Sequence, residues 1–215
     1  MHGAHSQNRI HRRAGYTMVE MMVTAFISTA MFMTVVAAAQ TGMISMRATD
    51  ARVTLSDALR QAMGEFVREV SQTSPQAVNG HLFISSDAQN NSIVEFQVPV
   101  DADGDGDAIN NSNGAVQWGA YQSFGSGAML GRWLRYTLQG DQVVRQVLVA
   151  DRSAVDATVP AKVIANEISQ FSVTKNGTRL SVRLKASRQD TTFAKLPRTY
   201  TDAQNTQVTL RNNVQ

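Results

Sequence analysis

Three kinds of hydrophobic patterning succeed one another along the chain. Residues 21–39, MMVTAFISTAMFMTVVAAA, carry no formal charge and meet no glycine or proline before Gly42, which predicts one unbroken helix. About 20 apolar residues cover the hydrocarbon of a bilayer, so the run is long enough to cross a membrane. Its threonines are tolerable at that depth because their hydroxyls can return to backbone carbonyls. Residues 48–72 then turn amphipathic, with Leu55, Leu59, Met63, Phe66, Val67 and Val70 largely three or four apart and Arg52, Asp57, Arg60, Glu65, Arg68 and Glu69 mostly elsewhere. That stripe predicts a helix with one buried face, closed at Ser74-Pro75 and followed by a turn at Asn79-Gly80.

Beyond Gly80 the period drops to two. HLFIS, SIVEFQVPV, RWLRYTLQ, QVVRQVLVA, ISQFSVTK, TRLSVRLKAS and TQVTLRN are rich in branched and aromatic residues and read as strands. Leu134, Tyr136 and Leu138 alternate with Arg135 and Thr137, and Gly140-Asp141 turns the chain back into residues 143–149 as a hairpin. A second hairpin is expected to turn at Asn176-Gly177. The expected fold class is α+β: a long N-terminal helix, transmembrane in one half and amphipathic in the other, packed on an antiparallel sheet.

Length and charge narrow the function. A chain of 215 residues suffices for one domain with a real core and is short for two. The absence of cysteine excludes disulfides and thiolate metal sites. Of 20 basic residues against 17 acidic ones, Arg9, Arg12 and Arg13 fall in the first 15 positions without any acid, so the whole basic excess lies there. Nucleic-acid binding wants a basic face on the folded domain, whereas arginines abutting an apolar run hold that end on the cytoplasmic side of a membrane.

The stretch RRAGYTMVEMMVTAF, residues 12–26, places one acid, Glu20, at the head of the apolar run. A carboxylate in lipid is costly and persists only with a partner. One reading is an ordinary signal peptide cut after Ala39, leaving Gln40 as the new N-terminus; the run is longer than a usual h-region and Glu20 interrupts its start. A plain signal anchor, with Glu20 hydrated near the interface, is the second.

The third reading rests on likeness. A basic leader ending in glycine, an aromatic residue after it and a glutamate as the fifth residue of the mature chain resemble the N-terminus of type IV prepilins and type II secretion pseudopilins. The resemblance implies cleavage between Gly15 and Tyr16 by prepilin peptidase, N-methylation of the Tyr16 amine, and pairing of Glu20 with the Tyr16 amine of a neighbouring subunit during filament assembly. Tyr16 stands where the family usually has phenylalanine, and MVEMMV where it commonly has a leucine-rich stretch. The strand order of the C-terminal half is similar to that of the larger minor pilins and the J-type pseudopilins. The organisation so implied is a leader at 1–15, a transmembrane segment at 16–39, an amphipathic extension at 40–74 and a β-rich pilin-like domain at 75–215.

VDADGDGDAINNSNGA, residues 100–115, sets Asp101, Asp103, Asp105 and Asp107 two apart with glycines at 104 and 106. Calcium takes six to eight oxygens, and such a loop offers several from one short turn. Position twelve counted from Asp101 is Ser112 rather than a glutamate, and a solvated turn has the same composition. These four aspartates are the candidate metal site and calcium the candidate cofactor.

No constellation for catalysis is visible. Three of the four histidines, His2, His5 and His11, lie in the leader, and His81 stands without a triad or zinc spacing. The GSG at 125–127 lacks the spacing of a phosphate loop, and Trp118 and Trp133 are expected to pack, with an exposed contact in the polar loop as the alternative for Trp118. The expectation is a non-enzymatic minor pilin-like subunit, single-pass in a bacterial inner membrane with its C-terminal domain outside the cytoplasm. Its partners would be prepilin peptidase, other pilin or pseudopilin subunits and the inner-membrane assembly platform. The alternatives are a pseudopilin of type II secretion and, from another class, a secreted or anchored calcium-binding β domain.

Overall fold

A computed structural model describes residues 16–74, 80–121, 129–190 and 198–210. The leader with Gly15, together with Pro75, Asn79 and the GSG at 125–127, lies outside the described residues. Among the described residues one α-helix, α1 (Met18–Val70), runs for 53 residues, and the chain divides into a unit ending at Arg47 and a unit from Ala48 onward.

In the first unit the helix is apolar and solvent-exposed along nearly its whole length, from Met18 through Phe26 and Phe32 to Met46. Within α1 a window is long and apolar enough to cross a membrane, a property that a signal sequence shares. Thr24, Thr29, Thr34 and Thr41 each donate their hydroxyl to a carbonyl three or four residues back, at 2.7 to 3.0 Å. They remove their own polarity from the apolar surface.

In the second unit the helix buries Leu55, Leu59, Ala62, Met63, Phe66 and Val70. The expected stripe is present, with Ala62 added and Val67 only partly buried. Among the described residues ten strands follow: β1 (Leu82–Ser86), β2 (Ser92–Phe96), β3 (Val98–Pro99), β4 (Trp118–Gly119), β5 (Trp133–Gln139), β6 (Gln142–Leu148), β7 (Lys162–Ala165), β8 (Ile168–Asn176), β9 (Arg179–Asp190) and β10 (Arg198–Thr209). They form three sheets, in the orders β1-β2-β5-β6-β7, β10-β9-β8 and β3-β4, with every pair antiparallel. A long apolar helix with antiparallel sheets is thus the observed α+β arrangement, built from three sheets rather than one.

The two larger sheets share the helix as a common lid. The Phe66 ring stands edge-on to Phe96 of β2, Tyr136 of β5 and Phe171 of β8, with centroids 6.3, 5.1 and 5.5 Å away. Side chains also stitch the sheets together. Ser92 Oγ accepts the Val173 N–H at 2.8 Å and donates to the Val173 carbonyl at 3.3 Å, and Asn91 Oδ1 accepts the Phe171 N–H at 3.3 Å. These buried hydroxyl and amide groups satisfy β8 backbone where no strand neighbour does so. Gly119 of β4 lies so close to the Met129 carbonyl that a Cβ there would collide with backbone.

Candidate functional site

The helix start assembles Glu20 from local chemistry. The first N–H groups of a helix lack intrahelical acceptors, and here Thr17, just before the first helical residue Met18, supplies one. Thr17 Oγ1 accepts the Glu20 N–H at 3.2 Å, while Glu20 Oε2 accepts the Thr17 N–H at 3.1 Å and its hydroxyl at 3.2 Å. This reciprocal pair is a capping box. Its signature, threonine followed three residues later by glutamate ahead of an apolar run, is present in TMVE and was masked in sequence by the membrane reading of the same glutamate. Glu20 therefore closes the helix start within its own chain, using one oxygen. Tyr16, at the expected new N-terminus, is 77% exposed and precedes the helix.

The acidic loop organises around Asp101, which is buried. Its Oδ1 accepts the Gly104 N–H at 2.7 Å and its Oδ2 the Gly106 N–H at 3.0 Å. Both glycines sit at positive φ, 80° and 99°, so the curl needs residues without Cβ strain. Gln117 ties the loop to the strand after it, accepting the Ala102 N–H at 2.7 Å and donating to Asp103 Oδ2 at 3.2 Å. The result brings carboxylate oxygens of Asp101, Asp103 and Asp105 within 4.8 Å of one another. These are positions one, three and five of a calcium-type loop with glycine at six, and the donor set is oxygen only, as calcium prefers. Asp107 does not join them: its Oδ1 accepts the Ile109 N–H at 2.6 Å, leaving its main-chain carbonyl as the group such a loop uses at position seven. Asp105 is in turn held by the Asn111 amide.

His81 has a structural environment. Gln97 Nε2 donates to the Gly131 and Arg132 carbonyls at 3.0 and 3.1 Å, which turns its Oε1 toward His81 Nδ1 at 2.7 Å and makes that nitrogen the protonated one. The imidazole stacks on Trp118 at 4.1 Å, and Trp133 donates its indole N–H to the Ala150 carbonyl at 3.1 Å. Among the described residues the three aspartates are the one group of metal-ligating side chains close enough together to hold an ion. No protein-family model matches the chain, and no curated protein matches it.

Proposed function

We propose that this chain is a minor pilin-like structural subunit of a type IV pilus or related filament, cut between Gly15 and Tyr16 by prepilin peptidase and assembled by packing of α1. The observation that carries the reading is a single helix of 53 residues. Its apolar first part is exposed almost throughout and holds Glu20 as its sole charge before Arg47. Such a surface asks for lipid first and for other helices afterwards. In this account the chain sits in a bacterial inner membrane with its sheets outside the cytoplasm, and the assembly platform and other pilin or pseudopilin subunits are its partners. The N-methylated ammonium of Tyr16 neutralises Glu20 of a neighbour, so the cost of a carboxylate in the membrane, about 2.5–3.5 kcal/mol on insertion scales, falls when subunits associate. A type II secretion pseudopilin would use the same chemistry.

The deciding measurement is intact mass with N-terminal sequencing of the chain recovered from membranes that contain prepilin peptidase. A start at methylated Tyr16 supports the reading. A start at Gln40 overturns it in favour of a secreted domain, and an uncut Met1 in favour of a signal anchor.

The capping box makes a second test sharper. Glutamine preserves a capping box and removes the charge, so Glu20→Gln keeps the helix start and deletes the ionic partner. Both Glu20→Gln and Glu20→Ala are expected to be processed normally and to enter filaments about tenfold less, scored by immunoblot of sheared filaments. Wild-type incorporation of Glu20→Gln would leave Glu20 as a helix cap alone.

A calcium-binding role for the β-rich unit is favoured by one specific observation, the convergence of Asp101, Asp103 and Asp105. Calorimetric titration of the full chain in detergent micelles is expected to show heat at up to millimolar calcium. A melting-temperature rise equivalent to about 2.7 kcal/mol should follow at a hundred times the dissociation constant. Asp101→Asn should abolish both, and a flat wild-type titration removes the ion from the proposal.

A further inference from the structure

A groove of about 500 Å³ opens along the exposed side of α1, between the helix and strands β6 and β7. Arg60, Gly64 and Arg68 stand four residues apart on the helix and line it, with Arg145 of β6 and Lys162 of β7 opposite. The acids in the groove are already engaged: Glu65 Oε1 takes Lys162 Nζ at 2.7 Å, and Glu69 Oε2 takes Arg145 Nε at 3.0 Å. Arg60 meets Asp57 only at 4.0 Å, with both side chains about 70% exposed. Among the described residues Arg68 enters no ion pair. The two helix arginines thus remain available to an incoming anion.

Gly64 is the second observation. Glycine inside a helix is destabilising relative to alanine, and an internal contact usually explains it. Here a Cβ would meet nothing within 4 Å, so the fold itself has no use for the missing side chain. A glycine between two arginines on one helical face leaves the helix backbone bare and open to close approach there.

We propose that this groove receives the Asp101–Asp107 loop of a second copy of the chain, a head-to-tail contact between neighbouring subunits. The match is electrostatic and steric. Asp103, Asp105 and Asp107 are exposed on a loop rich in glycine, whose backbone is slim enough to approach Gly64, and the groove offers Arg60 and Arg68 one turn to either side. Groove and loop are different surfaces of one molecule, and such a heterologous contact propagates into a ring or filament rather than closing as a two-fold dimer. The inference rests on the filament reading for its biological setting, and its test does not depend on where the N-terminus lies.

The chain has no cysteine, so single cysteines report the contact cleanly. Full-length chains carrying Gln61→Cys on the groove rim are mixed in detergent micelles, under chelation, with chains carrying Ser112→Cys on the loop. A mixed disulfide between the two is expected, falling as salt is raised because exposed charges are screened. Arg60→Asp with Arg68→Asp on the groove copy should cut its yield about tenfold, since like charges then face each other. Asp103→Lys with Asp107→Lys on the loop copy should restore the yield to within about twofold. The single exchange of Arg68→Asp against Asp107→Lys serves if the double change unfolds the loop. Gly64→Gln should leave the melting temperature unlowered and remove the cross-link. An unchanged yield after groove reversal, or no recovery on charge exchange in either pair, overturns the proposal. If cross-linking persists while sequencing finds Gln40, the docking stands and the filament reading falls; Tyr16 without cross-linking gives the reverse.

Discussion

Phe66→Ala is expected to destabilise the β-rich unit by about 3–5 kcal/mol, the range for deleting a large aromatic from a packed core. Thermal or denaturant unfolding of the full chain in micelles would show a melting-temperature drop on the order of 10 °C or more. The magnitude follows from position. Phe66 is 2% exposed and its ring is edge-on to Phe96, Tyr136 and Phe171, which belong to strands of two different sheets. Truncation removes the ring's transfer energy and opens a void that neither sheet can close alone, because each is also fixed by its own ladder and by the Ser92 and Asn91 stitches. Phe66→Leu keeps much of the volume and should cost clearly less. A loss under about 1 kcal/mol for Phe66→Ala would mean that the sheets hold together without the helix.

The elements that local chemistry dictates were legible in the sequence. The amphipathic stripe became the buried face of α1 because burial follows the 3.6-residue period, and the Gly140-Asp141 hairpin became the two-residue turn between paired Gln139 and Gln142. The second turn lies one residue later than expected. Asn176 pairs with Arg179, so the loop is Gly177-Thr178, and it is Gly177, at φ 60°, that takes the left-handed conformation.

What the sequence hid depends on distant partners. β4 is two residues long and is held by β3 on one side and by the segment around Leu130 on the other. β7 is four residues joined to β6 across a register shift at Val143 and Val144, which erases any alternation of its own. β10 extends far upstream of the expected TQVTLRN, since Arg198 through Thr209 is largely polar and takes its register from twelve residues of β9. The link between the two larger sheets runs through Asn91 and Ser92, residue types that read as turn formers. The candidate site was legible in the same partial way. Alternating aspartates and glycines announced the loop, whereas the diversion of Asp107 to the Ile109 N–H appears only in three dimensions.

Glu69→Ala is expected to cost about 3–5 kcal/mol, because it strands two groups that the fold has withdrawn from water. Tyr136 is fully buried and donates its hydroxyl to Glu69 Oε2 at 2.7 Å; Arg145, with a side chain 14% exposed, donates Nε to the same oxygen at 3.0 Å. One carboxylate on the helix thus ties β5 and β6 to the C-terminal end of α1. Replacing the whole cluster, with Glu69→Met, Arg145→Met and Tyr136→Phe together, removes the charges and the polar atoms at once and should recover most of the loss. Failure to recover would mean that the cluster stabilises by its charges rather than by avoiding unpaired ones. The same geometry sets a pH dependence. Burial, then the charge and hydrogen bond of Glu69, holds the Tyr136 phenol well above its ordinary range. The folded state therefore keeps a proton that the unfolded chain releases near pH 10. This contribution is complete below about pH 10 and declines as the pH rises beyond it, because the native state then binds more protons than the unfolded one. Tyr136→Phe should flatten that alkaline decline relative to wild type while lowering stability at neutral pH by about 1.5–3 kcal/mol, the range for a hydrogen bond to a charged acceptor. Parallel curves above pH 10 would place the Tyr136 hydroxyl in contact with water instead of Glu69.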